Sequence, residues 1–300
     1  MSARRKKNEQ SPLTCSSGKV IAAFGRQYSI ETDTGEVISC VMRGKKGGVA
    51  CGDWIEYQHT AAAQGVIESI IPRRSMLYRS DAFKQKIIAT NVTQVVIVVA
   101  AIPSFSEELI NRCLVAAEDQ KIDVLIVLNK ADLIEPTQAA MHTLSPYRDL
   151  GYRVIPISAI QDTSALLPHL QHHQNVLAGQ SGMGKSTLLN ALIPQAERAT
   201  AEISLALDSG CHTTTHSRLY TLDSDTTIID SPGFQEFGLN HITEENLAWR
   251  FIEFHPYLGQ CKFHNCRHLG EPGCAVIQAV NAGKINAKRL AFYQKMLQRK

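Results

Sequence analysis

From Gly18 to Ile71 apolar and polar positions alternate in five short runs: Lys19–Ala23, Gln27–Glu31, Val37–Val41, Asp53–Gln58 and Val66–Ile70. Period-two alternation is the pattern of a half-buried strand, and Asp33, Gly35, Gly44, Gly47, Gly48 and Gly65 supply turns between the runs. Five such strands in so short a segment predict a small barrel of the OB type; an SH3-like barrel would carry the same pattern. Beyond a basic stretch with Arg73, Arg74 and Arg79 the pattern changes. Runs apolar on both faces appear at Val92–Ala101, Val124–Leu128, Val154–Ile157, Asn175–Ala178, Ser217–Leu222 and Thr226–Asp230, with helical spacing at segments such as Glu107–Gln120 and Lys185–Leu192. Buried strands alternating with helices predict an α/β domain with a mostly parallel, doubly wound sheet. After about His241 the strand runs stop, and a helical, cysteine-bearing segment continues to Lys300. The expected division is a disordered basic tail over 1–14, a barrel over 15–72, a linker over 73–84, the α/β domain over 85–240 and a helical unit over 241–300.

Composition narrows the class. The chain has 300 residues, 44% of them hydrophobic and 20% charged, as ordinary globular proteins do. Its longest apolar run, Val95–Ile102, falls far short of the roughly 20 residues that span a bilayer. Polar residues follow the basic cluster Arg4, Arg5, Lys6 and Lys7, so no apolar signal-peptide core is expected there. A cytoplasmic chain without membrane contact follows, with its 8 cysteines kept reduced unless a metal holds them. The formal charge of +3 says little, but Lys284, Lys288, Arg289, Lys295, Arg299 and Lys300 make the far end basic as well. Basic ends suit a phosphate backbone and equally suit a solvated tail and helix face.

The most specific motif is Gly179-Gln180-Ser181-Gly182-Met183-Gly184-Lys185-Ser186-Thr187, a G-x-x-x-x-G-K-[ST] loop between an apolar strand and an apolar helix. There backbone N–H groups wrap phosphates at a helix N-terminus. Lys185 would reach the β- and γ-phosphates, and Ser186 would bind Mg²⁺. Asp230-Ser231-Pro232-Gly233 follows an apolar strand, which makes Asp230 the second Mg²⁺ holder and Gly233 a γ-phosphate contact. Upstream, Asn129-Lys130-Ala131-Asp132 ends another strand as N-K-x-D, and Ser158-Ala159 ends a third. The Asp132 carboxylate can accept from guanine N1 and N2, donors that adenine lacks. Asn129 would orient the loop, and Ser158 and Ala159 would offer backbone N–H near O6. Each short motif is weak alone; three at strand carboxyl ends together point to GTP, because open α/β sheets bind ligands there.

Here the base-reading motifs precede the phosphate loop, the reverse of the usual GTPase order. A circular permutation of a P-loop GTPase preserves the site if the original termini lay close together. With this order the sequence resembles the YjeQ/RsgA family of ribosome small-subunit-dependent GTPases from about Lys19 to Lys300. The resemblance implies an OB domain, a permuted GTPase domain and a C-terminal zinc domain. It also implies GTP hydrolysis to GDP and phosphate, stimulated by the 30S ribosomal subunit late in its maturation. The expected partners are that subunit, 16S rRNA and GTP or GDP, and the expected form is a monomer.

Between the loop and Asp230 lies Gly210-Cys211-His212-Thr213-Thr214-Thr215-His216. A threonine here would complete the Mg²⁺ shell as the switch I ligand, Thr214 being the first choice, with Thr213 and Thr215 close behind. Phe234 stands where many GTPases carry a water-orienting glutamine, so another group must orient the water. His212 is the candidate, and the resembling family is thought to use the matching histidine; an idle surface histidine is the competing reading. Finally, Cys261, Cys266, His268 and Cys274 form a Cys₃His set compact enough for one structural Zn²⁺, with His264 as a conceivable substitute ligand. A GTP-driven protein acting on a protein partner, or a small-molecule kinase, would share the phosphate loop. Salt-sensitive RNA binding would argue against the first, and N-K-x-D argues against the second.

Overall fold

The structure is a computed structural model; it describes residues 15–44, 48–81, 84–194, 196, 217–231 and 237–298. The alternating N-terminal runs form five strands: β1 (Ser16–Phe24), β2 (Gln27–Thr32), β3 (Val37–Met42), β4 (Trp54–Ala61) and β5 (Gln64–Ile70). Their order β1-β2-β3-β5-β4 closes through β1–β4, with β3 and β5 parallel and the other pairs antiparallel. This topology is that of an OB barrel, so the SH3-like alternative falls away. Inward positions give the barrel its own core of Val20, Tyr28, Ile30, Ile38, Ile55, Tyr57 and Ile67.

The stretch expected as a linker holds structure of its own. β6 (Met76–Asp81) pairs antiparallel with β7 (Lys84–Thr90), and Arg79 bridges to Phe237. Arg73 enters the barrel base, where its Nε and an Nη lie 2.7 Å from the two carboxylate oxygens of buried Asp53. A charge so far from water persists only when paired, which explains the bidentate geometry.

The α/β unit follows. Strands β8 (Gln94–Ala100), β9 (Asp123–Asn129), β10 (Arg153–Pro156), β11 (Gln174–Ala178) and β13 (Thr227–Asp230) run parallel in the order β10-β9-β8-β11-β13. The antiparallel strand β12 (Arg218–Thr221) lies beyond β13 and meets β1 of the barrel at Ala22↔Arg218. Eleven strands therefore form one continuous sheet. Helix α1 (Glu107–Gln120) begins at Ser106, whose hydroxyl caps the Leu109 N–H, as its sequence S-E-E-L suggests. Helix α2 (Ile134–Asp149) follows β9, a short α3 (Leu167–Leu170) precedes β11, and α4 (Lys185–Leu192) follows it.

Beyond His241 come short helical turns, α5 (Glu244–Leu247), and then α6 (Ala275–Asn281) and α7 (Ala287–Gln298). These do not form a separate core. Phe251, Phe254, Val276, Phe292 and Tyr293 pack in one cluster with Ile110, Cys113 and Leu114 of α1. The seam also holds a buried ion pair: Arg289 contacts Glu253 at 2.6 and 3.1 Å and donates to Asn111 of α1 at 2.9 Å. Among the described residues, no helix is long and apolar enough to cross a membrane.

Candidate nucleotide and metal sites

Every described residue of the nucleotide motifs lies at the carboxyl edge of the parallel strands. Gly179 leaves β11 at φ +149°, and a side chain there would run into the Val98 carbonyl of the neighbouring strand. Gly184 caps α4 at φ +87°, where a Cβ would strike the Asn129 amide. Both glycines are thus required by the close approach of backbone and loop. Leu188, Leu189 and Leu192 anchor α4 beneath the loop.

Asn129 ties three motifs together. Its amide donates to the Met183 carbonyl of the phosphate loop at 3.0 Å, while its oxygen accepts from Lys130 N at 2.8 Å and Ala159 N at 3.0 Å. Lys130, at φ +63°, sends its ammonium to the Ile102 and Gly182 carbonyls at 2.8 and 3.0 Å. The Ser158 hydroxyl donates to Asp132 at 2.7 Å, fixing that exposed carboxylate. Together they surround a cleft of about 150 Å³ lined by Asn129, Lys130, Asp132, Ser158, Gly184 and Thr187 among others.

At the phosphate end, Lys185 Nζ donates to the Gly179 and Gln180 carbonyls at 2.6 and 2.7 Å. Burial pulls the Lys185 ammonium below its ordinary pKa, opposed by the Asp230 charge. Burial likewise pushes the Asp230 carboxyl up, opposed by Lys185. The two groups are close enough that each feels the other's charge. His212, Thr213, Thr214, Thr215, Gly233 and Phe234 lie outside the described residues, as does the 1–14 tail.

Sequence reasoning missed three contributors to the site: Ser106, Leu133 and Ile160. Gln180 accepts from Ser106 N at 2.7 Å, joining the phosphate loop to the α1 cap. Ile160, directly after Ser158-Ala159, and Leu133, directly after Asp132, line the base-side cleft while remaining exposed. An apolar residue adjoining a base-reading motif was the available signal.

The second site is compact. The Sγ atoms of Cys261, Cys266 and Cys274 and a nitrogen of His268 all lie within 4.8 Å of one another. His268 Nδ1 stands 3.6, 3.6 and 3.3 Å from the three sulfurs, and Cys261 and Cys274 are 4.0 Å apart. Four donors about 2.0–2.3 Å from a tetrahedral ion are themselves roughly 3.5–3.8 Å apart, so the set fits a metal ion. His264 is not part of that group. Glu271 accepts from the N–H groups of Arg267, Leu269 and Gly270 between two of the donors, and Tyr293 and Gln294 of α7 donate to the Arg267 and His268 carbonyls.

A family model described as RsgA GTPase matches residues 70–240. A small ribosomal subunit biogenesis GTPase RsgA from Nitrosospira multiformis is 58% identical over 93% of this chain and 90% of its own. The chain belongs to the RsgA GTPase family. It is therefore a GTP hydrolase of the circularly permuted kind. Another RsgA, from Nitrosomonas europaea, is 55% identical over 95% of this chain and 91% of its own. Among solved structures, YjeQ from Thermotoga maritima aligns with a TM-score of 0.74 at 30% identity, covering 95% of this chain and 98% of that one. YloQ, a circularly permuted GTPase, aligns with a TM-score of 0.70 at 31% identity, covering 99% and 97%. In this chain N-K-x-D stands ahead of the phosphate loop, the order that a circular permutation gives.

Proposed function

We propose that the chain hydrolyses GTP in late maturation of the 30S ribosomal subunit, stimulated by that particle and in contact with 16S rRNA. The observation that carries the site reading is the Asn129 node, which joins N-K-x-D, Ser158-Ala159 and the phosphate loop around one cleft. Asp132 reads the guanine edge, with Ser158 holding its carboxylate. Gly179 through Thr187 wrap the phosphates, and Lys185 turns from loop carbonyls toward the β- and γ-oxygens. Ser186 and Asp230 hold Mg²⁺, Thr214 completes its shell, and Gly233 meets the γ-phosphate. Mg²⁺ would neutralise charge developing on the phosphoryl oxygens. With Phe234 in place of a glutamine directly after Asp230-x-x-Gly, His212 orients the attacking water. Cys261, Cys266, His268 and Cys274 hold one structural Zn²⁺, the ion that a closed Cys₃His set favours. The working units are the barrel (15–72), a connecting segment (73–84), the permuted GTPase unit (85–240) and the zinc unit (241–300), after the basic tail 1–14. The protein acts as a cytoplasmic monomer.

The test is hydrolysis of GTP and ATP by purified protein alone and with 30S subunits, 50S subunits or whole ribosomes. GTP-only turnover that 30S particles raise many-fold is the expected result. GTP turnover indifferent to every particle would leave the nucleotide site standing and remove the ribosomal partner. His212→Ala should lose the stimulated rate with nucleotide affinity kept; unchanged stimulation removes His212 from the mechanism.

A further inference from the structure

Both tryptophans of the chain are at its surface: Trp54 is 41% exposed, Trp249 52%, and Phe263 stands with them at 44%. These are the exposed large aromatic side chains among the described residues. A single exposed apolar residue needs no explanation. Here, however, each ring has a basic side chain against it. Lys19 Nζ lies 5.8 Å from the Trp54 ring centroid, and Lys262 Nζ lies 5.6 Å from that of Phe263. The His255 imidazole lies 5.8 Å from the Trp249 ring, held by a 2.9 Å contact of its Nε2 with the Trp249 carbonyl.

We infer that Trp54, Trp249 and Phe263 are stacking platforms for unpaired bases of RNA, with the adjoining basic side chains meeting the flanking phosphates. This rests on the RNA contact proposed above and says which nucleotides are bound and by which residues. Trp54 opens β4 at an outward position, between inward residues on either side of the strand, and pairs across the sheet with Lys19 of β1. It is therefore off the β2–β3 face that OB barrels commonly use for oligonucleotides. Along β4 the next outward residue is Glu56 and the partner across the sheet is Lys19, so charges flank the indole on two sides. A protein-binding hot spot would be an aromatic anchor within a water-excluding apolar surround. Exposed rings, two of them beside lysines, match the way single strands are held, by stacking plus phosphate charge. In duplex RNA the base faces are already stacked on one another, so a ring platform selects unpaired nucleotides.

Because both tryptophans are platforms, intrinsic fluorescence of the full-length protein reports stacking directly. The probe is a mixed-sequence RNA of about twelve nucleotides, within the span such grooves cover, beside the same RNA as a duplex. The single strand should quench fluorescence more strongly than the duplex. Trp54→Leu should remove its share of the quench and weaken binding roughly tenfold, with Trp249→Leu and Phe263→Leu acting in the same direction. Trp54→Phe should restore most of the affinity, and the melting temperature and intrinsic GTP turnover should stay as in the wild type. Equal affinity in the triple leucine variant, or equal quenching by duplex, overturns the inference alone. No binding of either RNA by the wild type overturns it together with the RNA contact on which it rests.

Discussion

The nucleotide loops and the Cys₃His knot hold their ligands by opposite means. The first gathers residues from Asn129 to Asp230, far apart in sequence, onto the carboxyl ends of parallel strands. Those strands are hydrogen-bonded into one sheet, and a few side chains such as Asn129 then bind loop to loop. The knot draws its donors from Cys261–Cys274, a stretch with no strand in it, so its shape rests on its own donors, on Glu271 and on the hydrogen bonds from Tyr293 and Gln294 of α7. Ligand removal should therefore leave the first site standing and collapse the second.

The strongest way to break this contrast is Cys274→Ser. Structural zinc contributes apparent binding energies of about 10–16 kcal/mol in small metal units, so loss of one buried ligand should release the metal and loosen residues 241–298. Elemental analysis with amide exchange would show it, and retained metal with native protection would refute the contrast. Next comes Arg289→Met, which leaves Glu253 buried without its partner and should cost about 3–5 kcal/mol. Adding Glu253→Leu should recover much of that in denaturant unfolding, showing that the C-terminal unit is held by the α1 seam as well as by metal. Lys185→Ala should lower GTP turnover at least about a hundredfold, as loss of a preorganised charge does, while the melting temperature barely moves because the sheet holds the loop.

The smallest effect is pH-dependent. Burial opposes ionisation of Asp119 on α1, but contacts with His241, Gln120 and Arg250 more than offset it and hold the carboxyl well below the usual range. A depressed carboxyl stabilises the fold above its unfolded pKa, about 3.9, and that stability fades as pH falls through the lower native value. Asp119→Asn should thus cost about 1.5 kcal/mol at neutral pH and progressively less below pH ~4. A penalty that is constant down to pH ~2 would show that the charge is not what matters.

Much of this was legible in the sequence. Lys185–Leu192 and Glu107–Gln120 have the same bounds in pattern and structure, because a glycine loop and a serine cap mark their starts. The Cys₃His set was readable because its spacing is local. The β6–β7 hairpin was not, since Arg73, Arg74 and Arg79 read as a basic linker, and partners such as Phe237 that fix it are distant. Helix α2 was missed because Pro136 and Pro146 interrupt its pattern and Leu133 gives it no side-chain cap. The seam between α1 and α7 joins residues 178 apart, Asn111 and Arg289, and no local signal announces such a pair.

One contact has a bearing on how the chain is made. Ala22 of β1 lies beyond the Ser16–Lys19 stretch that closes the barrel against β4, and it pairs with Arg218 of β12, so the open end of that strand's edge and an edge of the GTPase sheet cover each other. The chain is synthesised from its N-terminus, so the barrel emerges with that edge bare until nearly all of the sheet has followed. An uncovered strand is a template for pairing with other chains. A truncation ending before β12 should therefore give a barrel that folds yet self-associates through β1, and the second half of the protein acts as the cap that keeps its first half single.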